Sequence, residues 1–516
     1  MDSSEFTAAV EKHVKYVLSH CTYEEGGTPL LADGLDLASG APLRWEGLSL
    51  SNLACQQNFL RTLDALGTLT GDVQYCQQAD RWIGCAMDKL RDPASGLFYW
   101  GGHTSYDLLA DQPVLGNHEL KCVYPHYPYL YKVDANVTYK FVEAAWHAHI
   151  WDWETLLFNR HGNYQAWDKK WHGEFVGGPL PIVENTALSF VNTGSDLILS
   201  GAMLHALSGD ETPLRWARDL LSRYDQVRHP ETGLAGYQFN HRDPCRVRAS
   251  FKAPFDTRED LNEVTVVTNG VIKTRYGRAG LTFLNILDLL GEEKGKPFRD
   301  FVVADLEALA DHVFDEADCC FYPAINDGTR LDPENSMDGV GYCQPQKLKK
   351  VPADGLMFLA YARAFHLTGV ERFGDMAERL AVGMGWGDLN KPLDFEKGTS
   401  PTTEDAWVND GQNDACALFG LLELHSATGE DVLLKSAESL GRRLLRQYQV
   451  GDLIVSGAKE GTSNIDTALP LALLHLEAEK LGSRKGLPAF YPNNTYFDPK
   501  IVIRLWAQEK EKAQQS

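Results

Sequence analysis

The stretch from Gly96 to Tyr164 concentrates side chains that can bind a metal ion. It contains His103, His118, Glu119, His126, His147, His149, Arg160 and His161, together with Trp100, Trp146, Trp151 and Trp153. Two imidazoles and one carboxylate can hold a divalent transition ion and leave coordination positions open for water or substrate. Taken singly, each of these residues is more often a packing residue. A catalytic metal site is therefore predicted only if the fold brings such residues together.

The rest of the chain predicts a repeated helical hairpin that could position them. Five segments share one pattern, in which an apolar-periodic helix ends at a short glycine-containing turn and a second amphipathic helix follows. The turn glycines are Gly71, Gly209, Gly291, Gly369 and Gly429. Longer connections rich in Pro, Ser, Thr, Gly and aromatic residues separate the hairpins. Short turns at one end and long loops at the other are typical of a ring of inner and outer helices, with the site at the long-loop end.

The predicted fold class is therefore all-α: an (α/α) toroid or barrel of six to seven helical hairpins, with minor β elements in the long loops. The repeat spacing is uneven, which indicates insertions between hairpins. No low-complexity linker marks a boundary, so residues 1–516 are predicted to form a single catalytic domain. The polar C-terminal tail, residues 508–516, is predicted to fray.

Composition and charge exclude several classes of function. The 516 residues are 44% hydrophobic and 23% charged, which are ordinary values for a globular protein. The formal net charge is −22, so neither nucleic acid nor an anionic membrane is an expected partner. A small acidic ligand stays possible, because the field inside one pocket is set by the few groups that line it.

The cysteines and the N-terminus predict a cytoplasmic protein. Ten cysteines are scattered without regular spacing, and the close pair Cys319 and Cys320 is vicinal, so a disulfide framework is not expected. The N-terminus carries acidic residues where a secretory signal needs a basic start. No run approaches the roughly 18 apolar residues that a membrane span requires.

Several motifs resemble the family 2 pectate lyases (polysaccharide lyase family 2). They are GLFYWGGH at Gly96 to His103, HELK at His118 to Lys121 with the tyrosine-rich turn after it, and FVEAAWHAHIWDWETLLFNRHG at Phe141 to Gly162. The match is strong over roughly residues 45–171. The resemblance implies a metal-dependent, largely intracellular enzyme with an (α/α)-barrel fold that cleaves oligogalacturonides by β-elimination.

The resemblance also implies roles for individual residues. His103, Glu119 and His161 match the three metal ligands, and Arg160, directly before His161, matches the catalytic base. The expected ion is a divalent transition metal, manganese first, with cobalt, nickel or iron as alternatives.

The chemistry of elimination explains why a metal is needed. A cation on the uronate carboxylate withdraws charge, which makes the C5 proton acidic and stabilises the charge that develops when it leaves. A base must then reach that proton within hydrogen-bond distance. Arginine is a poor base at its ordinary pKa above about 12, so Arg160 either loses a proton with help from the metal and from burial, or stabilises charge. Both roles stay open.

Other residues near this stretch are candidates for substrate contact, since aromatic faces suit sugar rings and cationic side chains suit carboxylates. The substrate-binding candidates are Trp100, Tyr106, Lys121, Tyr124, His147, Trp171, Arg246 and Arg248, with Arg275 and Arg278 as further carboxylate clamps. At least half of the aromatic candidates are expected in the core. His147 and His149 lie two apart on one helix, so they cannot both bind one ion. His118, beside Glu119, is expected to support the ligands or to pack in the loop.

The leading functional hypothesis is a cytoplasmic, metal-dependent lyase acting on an acidic oligosaccharide, with α-1,4-oligogalacturonides as the favoured substrates. The alternatives are a metal-independent glycoside hydrolase or sugar epimerase on the same fold, and a carbohydrate-binding toroid without activity. Unsaturated products and sensitivity to chelator distinguish the first from the others. The oligomeric state is open.

Overall fold

The computed structural model describes most of the chain. The described residues are 4–23, 29–165, 171–180, 188–240, 248, 250–337, 343–393, 395, 410–455, 461–493 and 507. The predicted frayed tail, residues 508–516, lies outside them.

Helices account for most of the described structure. They are α1 (Glu5–Cys21), α2 (Gln57–Thr70), α3 (Val73–Lys89), α4 (Tyr127–Val133), α5 (Ala135–His149), α6 (Val191–Ser208), α7 (Glu211–Asp225), α8 (Gly280–His312), α9 (Gly355–Thr368), α10 (Glu371–Gly383), α11 (Asp410–Thr428), α12 (Asp431–Tyr448) and α13 (Leu469–Lys480). A helical turn at Asn269–Val271 and a π-helical segment at Ile272–Ala279 lead directly into α8.

The helices form a ring of inner and outer members. Around the inner ring, α2, α13, α11, α9, the first half of α8 and α6 contact one another in that order, and α4 and α5 fill the place between α6 and the α2–α3 pair. Burial explains the division, because inner α6 is buried at nearly every position whereas outer α7 buries one face. The described helices make seven pairs, the seventh being α13 with α1. The predicted all-α toroid is confirmed.

Glycine turns join the inner and outer helices. Gly71, Gly209, Gly369 and Gly429 each follow an inner helix with φ between 67° and 77°, a left-handed conformation that costs glycine little. Gly291, with φ 71° and ψ 178°, turns α8 from its inner half to its outer half. The predicted turns are therefore confirmed at all five glycines.

The strands are short and lie in the long connections, as predicted. They are β1 (Thr22–Tyr23), β2 (Leu30–Leu31), β3 (Gly34–Asp36), β4 (Leu50–Ser51), β5 (Ser105–Asp107), β6 (Gln112–Val114), β7 (His118–Glu119), β8 (Ile150–Asp152), β9 (Leu157–Phe158), β10 (His161–Gly162), β11 (Val266–Val267), β12 (Phe314–Asp315), β13 (Cys320–Phe321), β14 (Ala324–Ile325), β15 (Gln449–Val450), β16 (Leu453–Ile454) and β17 (Thr462–Asn464). They pair as β1–β2, β4–β5–β6, β7–β10, β8–β9, β11–β14, β12–β13, β15–β16 and β3–β17.

One hydrophobic cluster runs through the ring from Phe6 in α1 to Tyr491 beyond α13. The nine cysteines in the described part of the chain are free thiols. Among the described helices, none is both long enough and apolar enough to cross a membrane.

One added methyl group is expected to have opposite effects at a turn glycine and at a glycine inside a helix. We expect Gly369→Ala to lower the free energy of unfolding by about 1 kcal/mol, because alanine is strained at this left-handed backbone position. Gly84 lies inside α3, and a Cβ there meets nothing within 4 Å. Gly84→Ala is therefore expected to raise the free energy of unfolding by about 0.5–1 kcal/mol. Urea unfolding of both variants measures the contrast, and two shifts of the same sign would contradict it.

Candidate metal centre

Two antiparallel strands place two of the predicted ligands opposite each other. In the β7–β10 pair, Glu119 is the direct partner of His161, and His118 is the partner of Gly162. Directly opposite residues project to the same face of a pair of strands, whereas neighbours along a strand project to opposite faces. Glu119 and His161 therefore share the front face of this ribbon, and His118 lies on its back.

A glycine loop brings the third ligand to the same face. Gly101 and Gly102 pass so close to β7 that a Cβ on Gly102 would lie 2.0 Å from Glu119 Oε2. Asn52 holds this loop in place, because its side-chain amide donates to the carbonyl of Gly101 at 2.7 Å. His103 follows directly, so the missing side chains of the two glycines allow its imidazole to approach the carboxylate.

The three groups converge. Nε2 of His103 lies 3.9 Å from Glu119 Oε2, and Nε2 of His161 lies 3.8 Å from Glu119 Oε1. One ligand atom from each residue lies within 4.8 Å of the others. Two bonds of about 2.1 Å to one ion span at most about 4.2 Å, so the set fits a divalent ion after side-chain shifts of a few tenths of an ångström. The composition, two imidazoles and a carboxylate, suits a transition metal with open positions.

His161 is ready to act as a neutral ligand. Burial, followed by the charge of Arg160, lowers the pKa of His161 to about 4, although Glu119 opposes this shift. Nε of Arg160 donates a hydrogen bond to His161 Nε2 at 3.1 Å and lies 3.6 Å from Glu119 Oε1. An imidazole nitrogen has one lone pair, so Nε2 cannot accept this hydrogen bond and bind an ion at once. Metal binding at Nε2 requires Arg160 to turn away from His161.

A pair of histidines supports the back of the ribbon. His118 Nδ1 and His149 Nε2 lie 2.9 Å apart, and His149 Nδ1 lies 2.8 Å from the carbonyl oxygen of Asn159. Asn159 also accepts the backbone N–H of His161 through its side chain at 2.9 Å. Burial holds the pKa of His118 well below its usual range and lowers that of His149 to about 4, so both rings are neutral at pH 7.

Cationic side chains stand beside the ligands. Lys121 is half-buried two residues after Glu119. Burial lowers the pKa of Lys121, Glu119 raises it, and the positive charges of Arg160 and Arg278 lower it again. Arg278 comes from the buried π-helical segment. These three cations give the centre a local positive charge on an acidic protein, which suits an anionic substrate.

Four aromatic substrate candidates belong to the core instead. Trp100, Tyr124 and Trp171 are 0% exposed and Tyr106 is 5% exposed. Trp100 packs edge-to-face on Phe141, and the Tyr106 hydroxyl donates to Asp111. These four rings offer little exposed surface to a sugar, and their contact with substrate stays a prediction.

The remaining candidates fall into different surroundings. His147 is half-buried, packs against Trp153 with ring centres 4.9 Å apart, and contacts the carbonyl of Glu143 through Nδ1 at 2.8 Å. Arg248 is half-buried, and Arg246 lies outside the described residues. Substrate contact by Lys121, His147 and Arg248 stays a prediction.

Arg275, proposed as a carboxylate clamp, has a structural role instead. It is fully buried and forms two hydrogen bonds with Asp305, at 3.0 and 3.1 Å. Its guanidinium is therefore occupied by a carboxylate of the protein itself.

Comparison with known proteins identifies the family of this chain. Residues 28–500 match the family model described as periplasmic pectate lyase. The chain belongs to this pectate lyase family. It is therefore a polysaccharide lyase that acts on an acidic polysaccharide, and the ligand set lies inside the matched region.

The individual proteins that resemble this lyase share a minority of its residues. The chain is 28% identical over 392 residues to a pectate disaccharide-lyase of Dickeya dadantii (strain 3937). The aligned region covers 70% of this chain and 72% of that protein. Among solved structures, a family 76 glycoside hydrolase from a bovine Bacteroides thetaiotaomicron strain has 12% identity and a TM-score of 0.46, covering 93% of this chain and 79% of that one. A sugar epimerase from a ruminal bacterium has 14% identity and a TM-score of 0.45, covering 74% and 86%.

Sequence reasoning gave no specific part in the lyase to Gly102, Asn52 or Asn159. The GGH tripeptide was a usable signal, because two glycines before a histidine favour close backbone approach. The pairing of His118 with His149 carries no local signal, since it depends on which two-residue strands meet.

One added methyl group at Gly102 tests the packing of the glycine loop on Glu119. We expect Gly102→Ala to weaken Mn²⁺ binding at least tenfold, because its Cβ and the Glu119 carboxylate cannot occupy the same space. Isothermal titration calorimetry measures the affinity. Gly84→Ala, which adds the same methyl group in open space, is the control and should bind like the parent protein.

Removal of Arg160 tests the competition for His161 Nε2. We expect Arg160→Ala to bind Mn²⁺ about tenfold more tightly, because it frees the lone pair and removes a positive charge 3.6 Å from Glu119. His161→Ala should lose binding. Weaker binding by Arg160→Ala would show that the arginine does not compete with the ion.

Proposed function

We propose that the protein is a divalent-metal-dependent lyase that cleaves α-1,4-oligogalacturonides by β-elimination, with Mn²⁺ as the preferred ion. The observation that supports this proposal most directly is the convergence of His103, Glu119 and His161 with Arg160 beside them. The name of the Dickeya relative, pectate disaccharide-lyase, supports pectate as the polymer. A cytoplasmic location stays a prediction from the sequence.

One of the predicted ligands can bind an ion without first losing a proton. His161 is neutral at pH 7, and Glu119 is buried where a carboxylate needs a positive partner. A divalent ion held by these residues would supply Lewis-acid polarisation of the uronate carboxylate. In the elimination the C5–H bond breaks and its proton passes to a base, while its electron pair forms the C4=C5 double bond. The C4–O bond then breaks, and its electron pair leaves with the oxygen of the adjoining sugar.

Among the described residues, Arg160 is the candidate for work on the proton at C5. Its guanidinium is half-buried next to two ligands, so once it leaves His161 Nε2 it remains at the edge of the same site. Two roles are open to it: removal of the C5 proton, or stabilisation of the negative charge that follows.

Lys121 supports an acidic sugar as the substrate. This half-buried side chain interacts with the positive charges of two arginines, and an additional negative charge from a uronate would offset their mutual repulsion. A neutral sugar offers no such compensation. The site therefore favours uronates over neutral hexoses.

Absorbance of the unsaturated product tests the proposal. We expect chelator-treated protein to be inactive on oligogalacturonides and Mn²⁺ to restore ultraviolet absorbance, with Co²⁺, Ni²⁺ and Fe²⁺ compared in parallel. Arg160→Ala should lower kcat at least 10³-fold while it still binds Mn²⁺, and added guanidine should restore part of the rate, because it replaces the missing group in either role.

Other outcomes point to other functions. Release of reducing sugar without absorbance, unaffected by chelator, would indicate a hydrolase. Absence of turnover on galacturonate, glucuronate and mannuronate oligomers would contradict the lyase proposal.

A further inference from the structure

The two ligand-bearing strands are too short to fix their own register. β7 and β10 pair over two residues each, and outside the pair Leu120 N–H donates to the carbonyl of Arg160 at a long 3.4 Å. A slip of one residue would move Glu119 or His161 to the other face. Something other than the ladder must therefore hold Glu119 opposite His161.

The back of the ribbon carries a hydrogen-bonded chain that connects both strands. A carbonyl oxygen only accepts hydrogen bonds, so His149 Nδ1 carries a hydrogen and donates a hydrogen bond to the backbone carbonyl of Asn159. The neutral ring then has an acceptor at Nε2, so His118 Nδ1 is the donor across 2.9 Å. Asn159 closes the connection by accepting the backbone N–H of His161. The directions of these hydrogen bonds follow from one fixed carbonyl.

The surroundings of His118 hold this series of hydrogen bonds in one arrangement. His118 is fully buried against Trp100, Phe141 and Tyr164, with ring centres 5.8–6.5 Å away. Its Nε2 has no hydrogen-bond partner among the described residues, so only Nδ1 links His118 to a polar group. A Cβ on Gly162 would lie 2.8 Å from His149 Nε2, so the glycine opposite His118 makes room for the imidazole.

We propose that His118 and His149 are positioning residues that hold the β7–β10 register, and with it the spacing of Glu119 and His161 required to bind the metal ion. Neither side chain touches the ion or the substrate. The proposal rests on metal binding at this site, as put forward under the proposed function. The metal affinity of the front face then depends on one hydrogen-bond donor on the back face, Nδ1 of His118.

The test measures Mn²⁺ affinity by calorimetry and the Mn²⁺ environment by electron paramagnetic resonance on the full chain. We expect His118→Leu to bind Mn²⁺ 10–100-fold more weakly, with a broadened resonance spectrum. His118→Asn should stay within threefold of the parent protein, because its side-chain amide can donate from nearly the same place as Nδ1. Rescue by this variant separates hydrogen-bond donation from simple packing.

His13 supplies a matched control. It too is a fully buried, neutral histidine, with Nδ1 accepting from Ile454 N–H at 3.1 Å and Nε2 without a partner among the described residues. His13→Leu should lower thermal stability about as much as His118→Leu and leave Mn²⁺ affinity unchanged. An equal loss of affinity in both leucine variants would overturn the proposal, as would equal loss in His118→Leu and His118→Asn.

Two further results keep the outcomes distinct. If His118→Leu does not fold, His149→Gln replaces it, and we expect at least tenfold weaker binding because glutamine cannot reproduce the link to Asn159. Mn²⁺ binding to His118→Leu as tight as to the parent protein would overturn the positioning role alone. A parent protein that binds no Mn²⁺ would overturn the metal-dependent function and this inference together.

Discussion

The buried carboxylate of Glu119 is the constraint on which the rest of the site depends. Its side chain is 3% exposed, and a charge removed from water in this way needs positive partners and hydrogen bonds nearby. His103, His161 and Arg160 all lie within 4 Å of it. The glycine loop in front and the histidine pair behind both hold these groups around the two carboxylate oxygens of Glu119. Without a compensating positive charge, the carboxylate would be unstable where it lies.

The helical ring supplies the rigidity that the short strands lack. Asp196 near the start of α6 accepts the backbone N–H groups of Val123 and Tyr124, at 2.7 and 3.0 Å, directly after the strand that carries Glu119. Arg61 in α2 donates to the carbonyl of Tyr124 from another direction. Two inner helices thus fix a turn whose residues Cys122 and Tyr124 have positive φ. Loops carry the chemistry, and the ring determines where the loops lie.

How much was predictable from the sequence depends on the range of the interactions. The helical pairs and their glycine turns follow from local periodicity, so they could be predicted. The set His103, Glu119, Arg160 and His161 could be proposed from its motifs, whereas the partnership of Glu119 with His161 depends on the pairing of residues 42 positions apart. Aromatic residues in a loop look the same in sequence whether they face sugar or core, so the burial of Trp100 and Tyr124 could not be predicted. Arg275 was misplaced because its partner, Asp305, lies 30 residues away.

The pairing of α1 with α13 gives the chain an unusual order of assembly. The two helices are neighbours in the ring, yet about 450 residues separate them along the chain, which makes theirs the most non-local of the helix pairs described. On the ribosome, the apolar stripe of α1 emerges long before its partner is synthesised. The ring can close only when α13 arrives. Until then the apolar stripe of α1 lacks the helix that covers it, so a truncation that removes α13 leaves α1 exposed as well.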